Sequence, residues 1–185
     1  MKTIYVVHGW SGSPEEGWFP WLKKELESKN FKVEILSMPN ANHPKIEEWV
    51  TYLKKQVRKI DEDTSFLGHS IGCQTILRYL EGIDKKISKA VLVAPWVHLK
   101  PECIADKESQ EIAKPWLEKT INWDKIKHNK YIYIFSDNDS CVPLEDSEIF
   151  KQKLKAKIII EHNKGHFSGE DNIKELNVVL KEILK

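Results

Sequence analysis

Cysteine is scarce in this chain. Cys73, Cys103 and Cys141 are odd in number and show no C-x-x-C spacing, so neither a disulfide framework nor a zinc site is expected. A reducing, cytoplasmic setting is the default expectation. An excess of either charge is also missing: 29 Lys+Arg face 28 Asp+Glu, a formal net charge of +1. Nucleic acid or an acidic surface as partner therefore has no electrostatic support. No apolar run approaches the roughly 18 residues of a membrane span, and the run opening the chain is too short for a secretion signal, so no membrane association is expected. Neither G-x-G-x-x-G nor G-x-x-x-x-G-K-[ST] occurs, which removes the phosphate-cradling loops of nucleotide-binding domains. The charged residues show no obvious clamp for a phosphate or carboxylate. Repeats, low-complexity tracts and linkers are absent too, so residues 1–185 are expected to form one domain.

What is present is a balanced composition, 41% apolar and 31% charged, of a chain able to build a core. Its hydrophobic period switches repeatedly between two and 3.6 residues. Six short runs have strand length and composition: Thr3–Val7, Val33–Leu36, Thr64–Leu67, Ala90–Ala94, Tyr131–Phe135 and Lys157–Ile160. Between them lie amphipathic stripes. Ile46, Trp49, Val50, Leu53, Val57 and Ile60 share one helix face, with Pro44 in the first turn. Cys73, Ile76, Leu77 and Leu80 form another stripe, as do Ile173, Leu176, Leu180, Ile183 and Leu184, and Leu144–Leu154 starts with acidic residues suited to a helix N-terminus. Strand–helix alternation predicts an α/β fold, a doubly wound and mostly parallel sheet of about six strands with helices on both faces. Pro95 to Lys130 is a long excursion, expected to carry small helices of its own or to lie over a site.

Ligands of such sheets sit beyond the carboxyl ends of the strands. After the third strand comes Gly68-His69-Ser70-Ile71-Gly72, a G-x-S-x-G motif between a strand and a helix. In that context the serine occupies a strained turn with its hydroxyl presented, and Ser70 is the expected nucleophile rather than a simple helix cap. A serine needs a base and the base an orienting acid, in the chain order Ser, Asp or Glu, His. His166, flanked by Gly165 and Gly169 after the last strand, is the expected base, with His162 the alternative. After the fifth strand Asp137, Asp139, Glu145 and Asp146 are all candidate acids. Asp139 lies mid-loop before Val142-Pro143 and is preferred, with Asp137 next.

Acyl transfer also needs two donors for the developing oxyanion. The backbone N–H groups of Ile71 and of Trp10, in the glycine loop after the first strand, are the expected pair. His8 reads as a loop brace. Trp18, Trp21 and Trp49 fall on helical patterns and read as core, whereas Trp10, Trp96 and Phe167 are candidates to line a substrate pocket. An apolar pocket would favour small to medium uncharged acyl groups.

These residues resemble the small α/β-hydrolase-fold serine hydrolases of the family related to YdeN and retinoblastoma-binding protein nine. The resemblance runs nearly end to end through His8-Gly9-Trp10, Trp18-Phe19-Pro20-Trp21-Leu22, Met38-Pro39-Asn40, Gly68-His69-Ser70-Ile71-Gly72-Cys73, Asp139 before Val142-Pro143, and Gly165-His166-Phe167. It implies the triad Ser70, Asp139 and His166, a compact core without a large cap domain, and no cofactor or metal. The expected activity is hydrolysis of a small-molecule carboxylic ester. The competing expectation is a binding protein that retains the fold without useful turnover.

Overall fold

The computed structural model describes all 185 residues. Its centre is one sheet of six parallel strands: β1 (Thr3–Val7), β2 (Lys32–Leu36), β3 (Thr64–His69), β4 (Lys89–Val93), β5 (Tyr131–Ser136) and β6 (Lys157–Glu161). The strand order is β2-β1-β3-β4-β5-β6. All five strand pairs are parallel, with Val7 beside Gly68 and His69 beside Val93 in register. The four inner strands are buried on both faces, which is why Ala90-Val91-Leu92-Val93 and Tyr131-Ile132-Tyr133-Ile134-Phe135 can be apolar without alternation. Burial of each such Leu, Ile or Phe side chain contributes roughly 1.5–3 kcal/mol.

Seven α-helices complete the fold: α1 (Phe19–Glu27), α2 (Ile46–Gln56), α3 (Ile71–Leu80), α4 (Lys107–Glu118), α5 (Trp123–Ile126), α6 (Asp146–Leu154) and α7 (Asn177–Leu184). The excursion from Pro95 to Lys130 holds α4, α5 and a short 3₁₀ turn at Pro101–Ile104, the small helices expected of so long a connection. Two boundaries differ from the hydrophobic pattern. Helix α2 stops at Gln56 because Val57 is extended, so Ile60 packs from a loop, and Pro44 precedes the helix instead of lying in its first turn. Helix α7 starts only at Asn177, with Ile173 in the preceding loop. In both cases an apolar residue reaches the core without helical backbone, which periodicity alone does not distinguish.

One expectation is overturned. Cys103 and Cys141 form a disulfide with their Cα atoms 4.8 Å apart, and only Cys73 is free and buried. The bond ties the 3₁₀ turn of the excursion to the loop after β5. Two cysteines 38 residues apart gave no spacing signal, because the excursion brings them together only in the folded chain. No helix is long and apolar enough to cross a membrane.

Two stability measurements follow from this packing. A Cβ at Gly72 would lie 2.3 Å from the Val7 carbonyl oxygen and 2.6 Å from that of His8. Both are backbone atoms of a central strand and its exit, so Gly72→Ala is expected to lose more than about 2 kcal/mol in urea unfolding. Gly82→Ala, whose new carbon meets only one atom at 3.7 Å, should be neutral or slightly stabilising. Cys103→Ser removes a cross-link across 38 residues and should cost about 2–4 kcal/mol, with the wild type showing the same loss when a dithiol is added.

Candidate active site

The turn from β3 into α3 is forced by crowding. Gly72 passes against the exit of β1, and a Cβ at Gly68 would lie 2.8 Å from the Cys73 backbone nitrogen, so neither position admits a side chain. Between them Ser70 adopts φ 53° and ψ −122°, a left-handed conformation that costs a non-glycine residue on the order of 1–3 kcal/mol. The strain turns the serine side chain out from the sheet edge. Its backbone N–H is held by the Val93 carbonyl at 2.9 Å, which pins the turn to β4.

Three side chains from three loops meet there. The Ser70 hydroxyl donates to His166 Nε2 at 2.9 Å. The other ring nitrogen of His166, Nδ1, lies 3.0 and 2.9 Å from the two carboxylate oxygens of Asp139. A carboxylate can only accept, so the ring proton sits on Nδ1 and the Nε2 lone pair faces the hydroxyl. Asp139 is 3% exposed, and its Oδ1 also accepts from the backbone N–H groups of Cys141 (2.7 Å) and Val142 (2.9 Å). Lys100 Nζ donates to the Asp139 carbonyl at 2.6 Å. Each of these bonds fixes the carboxylate's position in the loop.

The histidine must reach from β6 back to β3, three strand spacings or roughly 14 Å. A row of hydrogen bonds between the loops after β5 and β6 accomplishes this. Asn163 N–H donates to Asp137 Oδ1, Lys164 N–H to the Ser136 hydroxyl and Gly165 N–H to Asn138 Oδ1, at 2.9, 3.0 and 2.9 Å. Gly165 has φ +53°, and Asp171 Oδ2 accepts from the backbone N–H groups of His166 and Ser168. On the far side Trp18, at the start of α1, donates its indole N–H to the Phe167 carbonyl at 2.9 Å.

His69 is a contributor that the motif did not flag, since it occupies only the variable position before the serine. It is buried, and its Nε2–H donates to the His166 backbone carbonyl at 2.7 Å. Burial, and next the proximity of His166, push its pKa down to about 3, so the ring is a neutral strut. His8 is likewise buried and structural. Met38 N–H donates to its Nε2 at 3.1 Å, leaving Nδ1–H to donate to the Gly9 carbonyl at 2.8 Å.

The remaining candidates are placed elsewhere. His162 is exposed and pairs with Asp137 at 2.6 Å, and neither touches Ser70. Bonds from Asn163 N–H and then from His162 lower the Asp137 pKa, and the Asp137 carboxylate raises that of His162. Asp146 is buried but accepts from Val97 N–H, His98 N–H and His98 Nδ1, bracing the exit of β4. Glu145 sits at the start of α6 and makes no bond to a histidine. The backbone N–H of Trp10 and that of Ile71, first residue of α3, have no acceptor in the protein, as expected of a free helix N-terminus for the latter. Trp10 is half-buried, its indole N–H on the Asn42 carbonyl. Trp96 and Phe167, expected at a pocket, are instead 2% and 1% exposed and packed in the core. Asp139, Cys141 and His166 offer a cluster of metal-ligating atoms, but the Cys141 sulfur is bonded to Cys103 and the other two bond to each other.

The comparisons with known proteins agree with this geometry. The chain is 29% identical to YdeN of Bacillus subtilis (strain 168), named as a hydrolase, over 96% of its own length and 92% of the relative's. It is 27% identical to the serine hydrolase RBBP9 of Rattus norvegicus, over 99% and 95%. The crystal structure of the ydeN gene product from B. subtilis superposes with a TM-score of 0.90 at 27% identity, covering 100% of this chain and 97% of that one. The family model described as serine hydrolase matches residues 4–183, nearly the whole chain, which therefore belongs to the serine hydrolase family.

Proposed function

We propose that the protein hydrolyses carboxylic esters by a Ser70–His166–Asp139 triad. The observation that carries this reading is the continuous pair of hydrogen bonds from the Ser70 hydroxyl through His166 to Asp139. As the Ser70 oxygen bonds to the ester carbonyl carbon, its proton passes to His166 Nε2. Asp139 keeps the opposite proton on Nδ1 and stabilises the imidazolium that forms. The carbonyl oxygen becomes an oxyanion, and the free N–H groups of Ile71 and Trp10 are the donors available to it. The Ile71 group carries the partial positive charge of the α3 N-terminus. Collapse breaks the bond to the alcohol oxygen, which takes the proton from Nε2 and leaves an acyl-serine. Water then attacks the acyl carbon, gives its proton to Nε2, and the acid departs as the proton returns to Ser70.

Two features favour a working site over a merely retained fold. The serine is held in a strained conformation that serves no packing purpose, and Asp139 and His166 are oriented by bonds that a passive surface loop does not need. His69 remains uncharged through the whole working range, so of the two imidazoles in contact at the site only His166 changes protonation during turnover.

Hydrolysis of short nitrophenyl esters tests the reading. Ser70→Ala is expected to lower kcat by at least about 10³-fold with its melting temperature preserved, and undiminished turnover would remove the mechanism. His69 gives a separate pH signature. The unfolded chain takes up its proton near 6.5 while the folded chain does so only near 3, so folding stability is intact above about 6.5 and declines as pH falls from there toward 3. Melting temperatures recorded across that window should fall continuously, with a contribution from His69 of up to about 1.4 kcal/mol per pH unit that is absent in His69→Gln.

A further inference from the structure

The face of α3 that begins at Ser70 continues through Gln74 and Arg78, four and eight residues on, and the α-helical rise places the Arg78 Cα about 12 Å from that of the serine. These two side chains line a cavity of about 270 Å³ between α3, the excursion and α6. Arg78 is 7% exposed and Gln74 2% exposed. Arg78 Nη2 donates to the Trp116 and Lys119 carbonyls, but Nε and Nη1 have no partner, which leaves three of the guanidinium's five N–H hydrogens unused. The Gln74 side-chain oxygen is unpartnered as well.

Buried cations are ordinarily paired with a carboxylate, and this one is not. Glu81 on the next turn is near enough to be felt, but its carboxylate accepts from Asn122 N–H and forms no ion pair with Arg78. The other polar groups facing the cavity are Lys119 and His98, and no Asp or Glu lines it. His98 in turn rests on the buried Asp146 behind it. The remaining walls are apolar, with Trp116 stacked beneath the guanidinium at 5.9 Å and Trp123 and Ile149 opposite. Positive charge, orphan donors and aromatic walls together describe a receptor for one chemistry. We infer that this cavity binds a small carboxylate with an apolar body, held by Arg78 and Lys119. The inference goes beyond the hydrolase reading and does not require it. It also corrects the impression from sequence that no carboxylate clamp exists: Arg78 lies inside the apolar run Ile76-Leu77-Arg78-Tyr79-Leu80, where nothing marks it as uncompensated.

Benzoate, with benzamide as its uncharged isostere, tests the inference by thermal shift and titration calorimetry on the full chain. Benzoate should raise the melting temperature saturably, and benzamide should do so far less. Lys119→Gln, a surface substitution that keeps the backbone carbonyl used by Arg78, should weaken benzoate two- to fivefold. Arg78→Met should weaken it at least tenfold. If Arg78→Met fails to fold, the wild-type comparison and Lys119→Gln decide alone. No saturable benzoate effect, an equal effect of benzamide, or unchanged affinity in both variants overturns the proposal. The carboxylate has two possible sources, which hydrolysis by the wild type separates. Where it belongs to the substrate, the nitrophenyl half-ester of adipic acid shows a higher kcat/KM than nitrophenyl hexanoate. Where it is a free acid, the neutral ester is the better substrate while benzoate still binds. The binding measurements stand even if no ester is turned over.

Discussion

The site depends on the backbone-to-side-chain bonds that join the loops after β5 and β6. Parallel strands deliver Ser70, Asp139 and His166 to one edge of the sheet, but delivery alone leaves His166 three strands from the serine. Asp137, Asn138 and Ser136 each accept an N–H from successive residues Asn163, Gly165 and Lys164. The acidic loop thus serves as the template on which the histidine loop is folded. Asp139 then orients the ring that the template has brought within reach.

Around that pair the histidines divide by solvation. His69 and His8 are withdrawn from water and act as neutral hydrogen-bonding struts, one fixing the backbone of the histidine loop and the other fixing the loop after β1. His162 is in water and pairs with a carboxylate, a surface interaction worth little to stability. His166 is between these extremes. One side chain type thus serves three roles, and the low dielectric under the loops decides which.

Much of this was legible in the sequence. The six strands and the excursion were written in the switch between periods of two and 3.6, because a sheet buried on both faces demands continuous apolar runs. Ser70 was legible because G-x-S-x-G reports a steric fact, the absence of room beside Val7 and Cys73. Features made by tertiary contact were not. Cys103 meets Cys141 only after the excursion folds over the acidic loop, and Trp96 and Phe167 sit beyond strand ends yet turn into the core. His69 and Arg78 were hidden for a common reason. Their roles come from what burial withholds, water in one case and a counter-ion in the other, and a residue's neighbours in sequence do not report that.

The template arrangement divides the molecule into regions with different freedom to diverge. A residue gained or lost in either of the two joined loops shifts the register of every bond between them, so their lengths must change together or not at all. The stretch between β4 and β5 carries no such constraint except at its disulfide anchor. Enlargement or remodelling of whatever overlies the serine can therefore enter the chain there, leaving the proton-relay geometry untouched.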